Sequence, residues 1–69
     1  MNEGEQRALA ALAWMAEQYL TSGDELDSQF MRAGERALEV LERNGLVTIA
    51  TGGRCGRWTE AGREFLLAN

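Results

Sequence analysis

The stretch that decides the fold is LERNGLVTIATGGRCGRW, residues 41–58. Its first residues end a run whose apolar positions recur at three- and four-residue spacing, which is typical of an amphipathic helix. Asn44-Gly45 ends that helix, because glycine tolerates the left-handed conformation found just beyond a helix C-terminus. The alternating, β-branched residues 46–50 predict a strand, the glycine-rich residues 51–56 predict a turn, and Arg57-Trp58 predicts a returning strand. The stretch therefore predicts a helix that runs directly into a two-stranded β-hairpin.

Helices are predicted on both sides of this stretch. The alanine- and leucine-rich residues from Glu3 to Leu20 favour a first helix, for which Asn2 and Glu5 form a capping pair. Its buried stripe is predicted to contain Leu9, Leu12, Ala13, Ala16 and Leu20. Thr59 is expected to cap a last, short helix from Glu60 to about Ala68.

The middle of the chain leaves two interpretations open. Ser22 and Glu25 form a second capping box, and the acidic residues Asp24 and Asp27 favour a helix start beside them. Leu26 and Phe30 would then share one buried face. The apolar positions 26, 30, 33, 37 and 41 keep one helical phase, so residues 25–43 form either one long helix or two. We favour a break near Ala33-Gly34, because glycine inside a helix costs about 1 kcal/mol relative to alanine.

Composition narrows the classes of function. The 69 residues predict one domain, residues 1–69, without catalytic machinery, metal or cofactor, because the chain has one cysteine, no histidine and no lysine. Cys55 is expected to be a passive surface or half-buried thiol, since no second cysteine or histidine accompanies it. The acidic start, MNEGE, is unlike a secretory signal, and no apolar run approaches the ~18–20 residues of a membrane span. We therefore expect a cytoplasmic protein with no membrane partner.

Two segments resemble a known fold family. The segments LERNGLV (41–47) and WTEAGREFL (58–66), with a hairpin between them, resemble the winged-helix domains of MarR- and PadR-type bacterial regulators. This resemblance covers about half of the chain. It implies an α+β, mostly α, winged-helix domain with three helices, a two-stranded hairpin wing and a short C-terminal helix. It also implies DNA binding, with the helix at residues 35–44 in the major groove and the wing on the DNA backbone.

The leading functional hypothesis is a non-catalytic DNA-binding regulator or accessory factor. Arg32 and Arg36 on the helix, with Arg54 and Arg57 beside the hairpin tip, would supply the phosphate contacts on which DNA affinity depends. The net charge of −4 opposes DNA binding by the surface as a whole. The glutamates on the exposed side of the same helix oppose it locally.

The alternative hypothesis is a small acidic inhibitor or adaptor that binds a protein component of a nucleic-acid machine. In length and charge the chain resembles such proteins from phages and mobile elements, the anti-CRISPR proteins among them. Glu35, Glu39 and Glu42 would form an acidic stripe that meets a basic surface. Trp14 lies opposite the apolar stripe of the first helix; we expect Leu67 of the last helix to cover it, the alternative being a partner surface or a homodimer contact.

Overall fold

Three α-helices and four short strands form the molecule, whose computed structural model describes residues 2–69. The predicted α+β, mostly helical class is therefore confirmed. The elements, in chain order, are α1 (Glu3–Leu20), β1 (Thr21–Ser22), β2 (Glu25–Asp27), a 3-10 turn (Ser28–Phe30), α2 (Gly34–Arg43), β3 (Val47–Ile49), β4 (Cys55–Trp58) and α3 (Glu60–Ala68).

The sheet is antiparallel throughout, with the strand order β1-β2-β4-β3. The predicted hairpin forms, because β3 pairs with β4 through Val47 opposite Trp58 and Ile49 opposite Gly56. It is not a free two-stranded wing, since β4 also pairs with β2 through Leu26 opposite Gly56. The hairpin is therefore one half of a continuous four-stranded sheet.

The prediction of a helix starting near Ser22 is wrong. Residues 22–25 form the turn between β1 and β2, in which Gly23 has a φ of 63°, a conformation that favours glycine. Leu26 is 1% exposed and packs in the core, whereas Phe30, expected beside it, is 53% exposed. The capping-box pattern is local, and the pairing of Leu26 with Gly56, thirty residues away, overrides it.

The break that we favoured near Ala33-Gly34 is confirmed, although a strand and a 3-10 turn precede it instead of a helix. α2 begins at Gly34. A Cβ atom at this position would lie 2.6 Å from the carbonyl oxygen of Ser28, so the 3-10 turn packs directly against the start of α2. Glycine at this position permits that close packing.

The core lies between the helices and one face of the sheet. The buried stripe of α1 is as predicted, except that Leu12 is only partly buried. The completely buried large side chains are Leu20, Leu26, Leu38, Leu41 and Val47. α3 closes the other end of the core through Leu66, which is 8% exposed. Among the described residues, no helix has the length and apolar character that crossing a membrane requires.

Candidate binding surfaces

Two of the four arginines predicted to bind DNA line one groove. Arg32 and Arg54 line a groove of about 390 Å³ between the start of α2 and the β3–β4 turn, together with Gly52-Gly53. We call this the arginine groove. Arg36 and Arg57 are exposed but do not line it, and Arg57 lies within β4 opposite Thr48. The structure therefore brings two of the four arginines together.

Arg54 is held by a partner that the sequence did not reveal. Its Nε and Nη2 atoms donate to the two carboxylate oxygens of Asp27 at 3.0 and 2.9 Å, a bidentate ion pair. Asp27 is 8% exposed and also accepts from the backbone N–H of Gln29 at 3.0 Å. The Arg54 hydrogen bond, followed by the Gln29 bond, lowers the pKa of the Asp27 carboxyl, and the same pair raises the pKa of Arg54. Two hydrogen bonds of the Arg54 guanidinium are therefore used within the protein, while its side chain remains 58% exposed.

The predicted acidic stripe of α2 is also divided. Glu35 and Glu39 are exposed. Glu35 also lines the arginine groove, where its negative charge offsets the positive charge of Arg32. Glu42 folds toward β3, where its carboxylate accepts from the backbone N–H of Ile49 at 3.3 Å. Since β3 is an edge strand, this contact satisfies an outward-facing donor that would otherwise remain open to water.

A second groove of about 390 Å³ is lined by residues of α1, the β1–β2 turn, β4 and α3. We call it the Trp14 groove. Trp14 from α1, Trp58 from β4 and Leu66 and Leu67 from α3 give it an apolar lining. Trp14 and Leu67 line the same groove, but the prediction that Leu67 covers Trp14 is wrong, because Trp14 is 45% exposed and Leu67 88% exposed. The tryptophan is therefore flanked by α3 and remains accessible.

Carboxylates flank this apolar lining. Glu17 lies one turn after Trp14 on α1, and its Oε2 atom accepts from the indole N–H of Trp58 at 2.7 Å. Asp24 and Glu25 come from the β1–β2 turn. One arginine, Arg63, also lines the groove. The Trp14 groove therefore combines exposed aromatic surface with a net negative rim.

The sequence pointed to only part of this groove. Trp14 was identified from its position opposite the apolar stripe, whereas Asp24 and Glu25 were interpreted as helix-capping residues. Glu17 and Trp58 are 41 residues apart, so no local pattern joins them. Across residues 2–69, no group of acidic or thiol side chains is arranged to hold a metal ion. Cys55 is a free, half-buried thiol.

Comparisons with protein-family models, with curated proteins and with solved structures find no match to this chain. Its surfaces are therefore the basis for an inference about function.

Proposed function

We propose that this chain is a non-catalytic protein-binding module that acts in the cytoplasm and engages a partner through the Trp14 groove. The observation that carries the proposal is the combination of Trp14 and Leu67, both large, apolar and exposed, in one groove on a 69-residue protein. Tryptophan is enriched at the centres of protein interfaces, where its large surface is desolvated on binding. This role corresponds to the inhibitor or adaptor hypothesis.

Charge supports a protein partner over DNA. The chain has eleven acidic residues against seven basic ones, and Asp27 already neutralises one of the arginines assigned to DNA. Glu35 adds a negative charge to the same groove. Because DNA affinity depends on the number of phosphates neutralised, this arrangement disfavours tight binding to a duplex.

The proposal is tested by capture of partners on the tagged protein from nuclease-treated host lysate, with the wild type and two variants compared. Leu67→Ser changes the Trp14 groove, and Phe30→Ala removes a similarly exposed apolar side chain elsewhere. We expect the same protein to be captured by the wild type and by Phe30→Ala, and to be lost with Leu67→Ser. Equal capture by all three would show that the groove is not the binding surface.

DNA contact remains a second candidate, favoured by the presence of Arg32 and Arg54 on one groove. For this function we propose a winged-helix variant, supported by the order of α2, β3 and β4 and by the groove that the start of α2 and the β3–β4 turn line together. Arg32→Ala and Arg36→Ala would then each reduce the salt slope of binding by about 1. Fluorescence anisotropy with duplex DNA at low salt is the measurement, and the absence of salt-dependent binding would eliminate this candidate.

A further inference from the structure

The charge and the aromatic lining of the Trp14 groove indicate which kind of partner side chain would bind there. We infer that it receives a cationic side chain, arginine or lysine, presented by a basic amphipathic segment of a partner protein. This inference rests on the proposed function and adds the chemical class of the bound segment. It is argued from the charge around the groove, from the fixed position of one carboxylate and from the aromatic lining.

The charge around the groove complements a cation. Three carboxylates, those of Glu17, Asp24 and Glu25, line the groove with a single guanidinium, that of Arg63. The local balance is thus negative by two charges, which attracts a basic segment and repels an acidic one. Partly desolvated charge pairs also interact more strongly than pairs in open water, because the surrounding dielectric is lower.

One of these carboxylates is already held in place. Glu17 accepts through Oε2 from the Trp58 indole N–H, and the hydroxyl of Thr21 also contacts that oxygen at 3.4 Å. Neither contact uses the second carboxylate oxygen, Oε1, within the described residues. A carboxylate fixed before binding loses less side-chain entropy when a partner arrives, so a hydrogen bond to Oε1 gains affinity.

The apolar lining suits the rest of a long basic side chain. An indole face attracts a cation placed over it, and tryptophan is the most effective aromatic residue for this contact. The methylene stem of arginine or lysine, and an apolar neighbour in the partner segment, would pack on Leu66 and Leu67. The groove volume of about 390 Å³ lies near the lower end of ligand pockets, which have about 300–1,000 Å³. That volume is enough for one or two side chains of a partner segment that lies across the groove.

The experiment uses the fluorescence of the full chain, because its two tryptophans both line the groove. Three tryptophan-free helical peptides with the same leucine and alanine face are titrated, with arginine, glutamine or glutamate on the polar face. We expect the arginine peptide to shift the emission saturably and to bind about tenfold more tightly than the glutamine peptide. The preference should fall as salt is raised, because salt screens the rim charges.

Two charge-removing variants test whether the preference for the arginine peptide arises in the Trp14 groove. Glu17→Gln removes the charge and keeps an oxygen that accepts from Trp58, whereas Glu64→Gln removes the same charge from an exposed part of α3 outside the groove. We expect the first to weaken the arginine peptide about threefold and the second to leave it unchanged. Circular dichroism checks that both variants are folded.

Each outcome decides a different question. Equal binding of the arginine and glutamine peptides would overturn the cationic inference and leave the groove as a protein-binding site. Tighter binding of the glutamate peptide would overturn it as well. If no peptide shifts the emission while lysate capture still depends on Leu67, the basic-segment inference fails and the proposed function stands. If capture is also independent of Leu67, both fail.

Discussion

Substitution of Gly62 by alanine provides the sharpest test of how α3 is placed. Gly62 lies in the first turns of α3 and is buried against the chain that links α2 to β3. A Cβ atom added there would be 2.0 Å from the carbonyl oxygen of Leu46 and 2.9 Å from a ring carbon of Trp58. Ordinary contacts of a Cβ atom begin near 3.4 Å, so α3 would have to move by more than an ångström.

Displacing α3 would cost more free energy of folding than alanine gains through its higher helix propensity. Alanine improves helix propensity over glycine by about 1 kcal/mol. Overpacking typically costs about 1–3 kcal/mol, and the obstacle here is backbone, which yields less than a flexible side chain. The same Leu46 carbonyl accepts from the N–H of Thr59 at 2.9 Å, and the Thr59 hydroxyl donates to Gly45 at 2.8 Å. Moving α3 strains both bonds, so we expect a net loss of about 2 kcal/mol.

Urea unfolding followed by far-UV circular dichroism measures this loss, and Gly4→Ala is the matched control. Gly4 is exposed in α1, and a Cβ atom there meets only Asn2 Oδ1 at 3.5 Å. The control should therefore gain up to about 1 kcal/mol from helix propensity alone. If Gly62→Ala were as stable as the wild type, the close packing of α3 on the α2–β3 link would be refuted.

Three further outcomes follow from the contacts. Asp27→Asn should lower stability at neutral pH. Its difference from the wild type should begin to shrink as pH falls below about 4, the ordinary pKa of the carboxyl, and should vanish only once pH is below the depressed folded pKa, because the carboxyl stabilises the fold only while ionised; urea midpoints across pH test this. Glu17→Ala should cost about 1 kcal/mol by leaving the Trp58 indole N–H without its acceptor, whereas Glu17→Gln should cost less; an equal loss in both would contradict the bond. Leu67→Ser should change the unfolding free energy by less than about 0.5 kcal/mol, since the side chain is 88% exposed.

Elements defined by contiguous residues were predictable from the sequence. α1 spans Glu3–Leu20 as its composition and capping pair indicated, and Asn2 does accept from the N–H of Glu5 at 2.8 Å. α2 ends before Asn44-Gly45 as predicted, and Gly45 has a φ of 76°. In these cases propensity, caps and tertiary packing all favour the same structure, so local information is sufficient.

The segment from Ser22 to Phe30 was not predictable in the same way. We interpreted Ser22, followed by the acidic residues Asp24 and Glu25, as the start of a helix. The same residue types are also compatible with a polar hairpin turn. Pairing of β2 with β4 decides between them, and its sequence separation of about thirty residues hides it from any local pattern. The carboxyl of Asp27, interpreted as helix-dipole compensation, instead caps the 3-10 turn and binds Arg54.

The same limit applies to the candidate site. The exposed position of Trp14 follows from helical periodicity, which needs only the sequence of α1. The carboxylates around it come from α1 and from the β1–β2 turn that follows it, and they line one groove because residues 21–27 form a hairpin instead of the predicted helix. Sequence identified the aromatic residue, whereas the charge around the groove, on which the proposed specificity rests, required the fold.

The Asp27–Arg54 pair shows how the wrongly predicted helix after Ser22 affected the assignment of Arg54 to DNA binding. Had residues 24–30 been a helix, Arg54 would have stayed free at a wing tip and available to phosphate. Because β2 instead pairs beside β4, Asp27 lies next to Cys55 in the sheet register, and the adjacent Arg54 side chain closes on it. A phosphate approaching Arg54 would therefore meet a guanidinium whose positive charge is already paired with a carboxylate in bidentate geometry, although its other N–H donors remain open. The feature that adds two strands to the sheet is thus the one that weakens the DNA hypothesis and favours our proposal that the Trp14 groove is the binding surface.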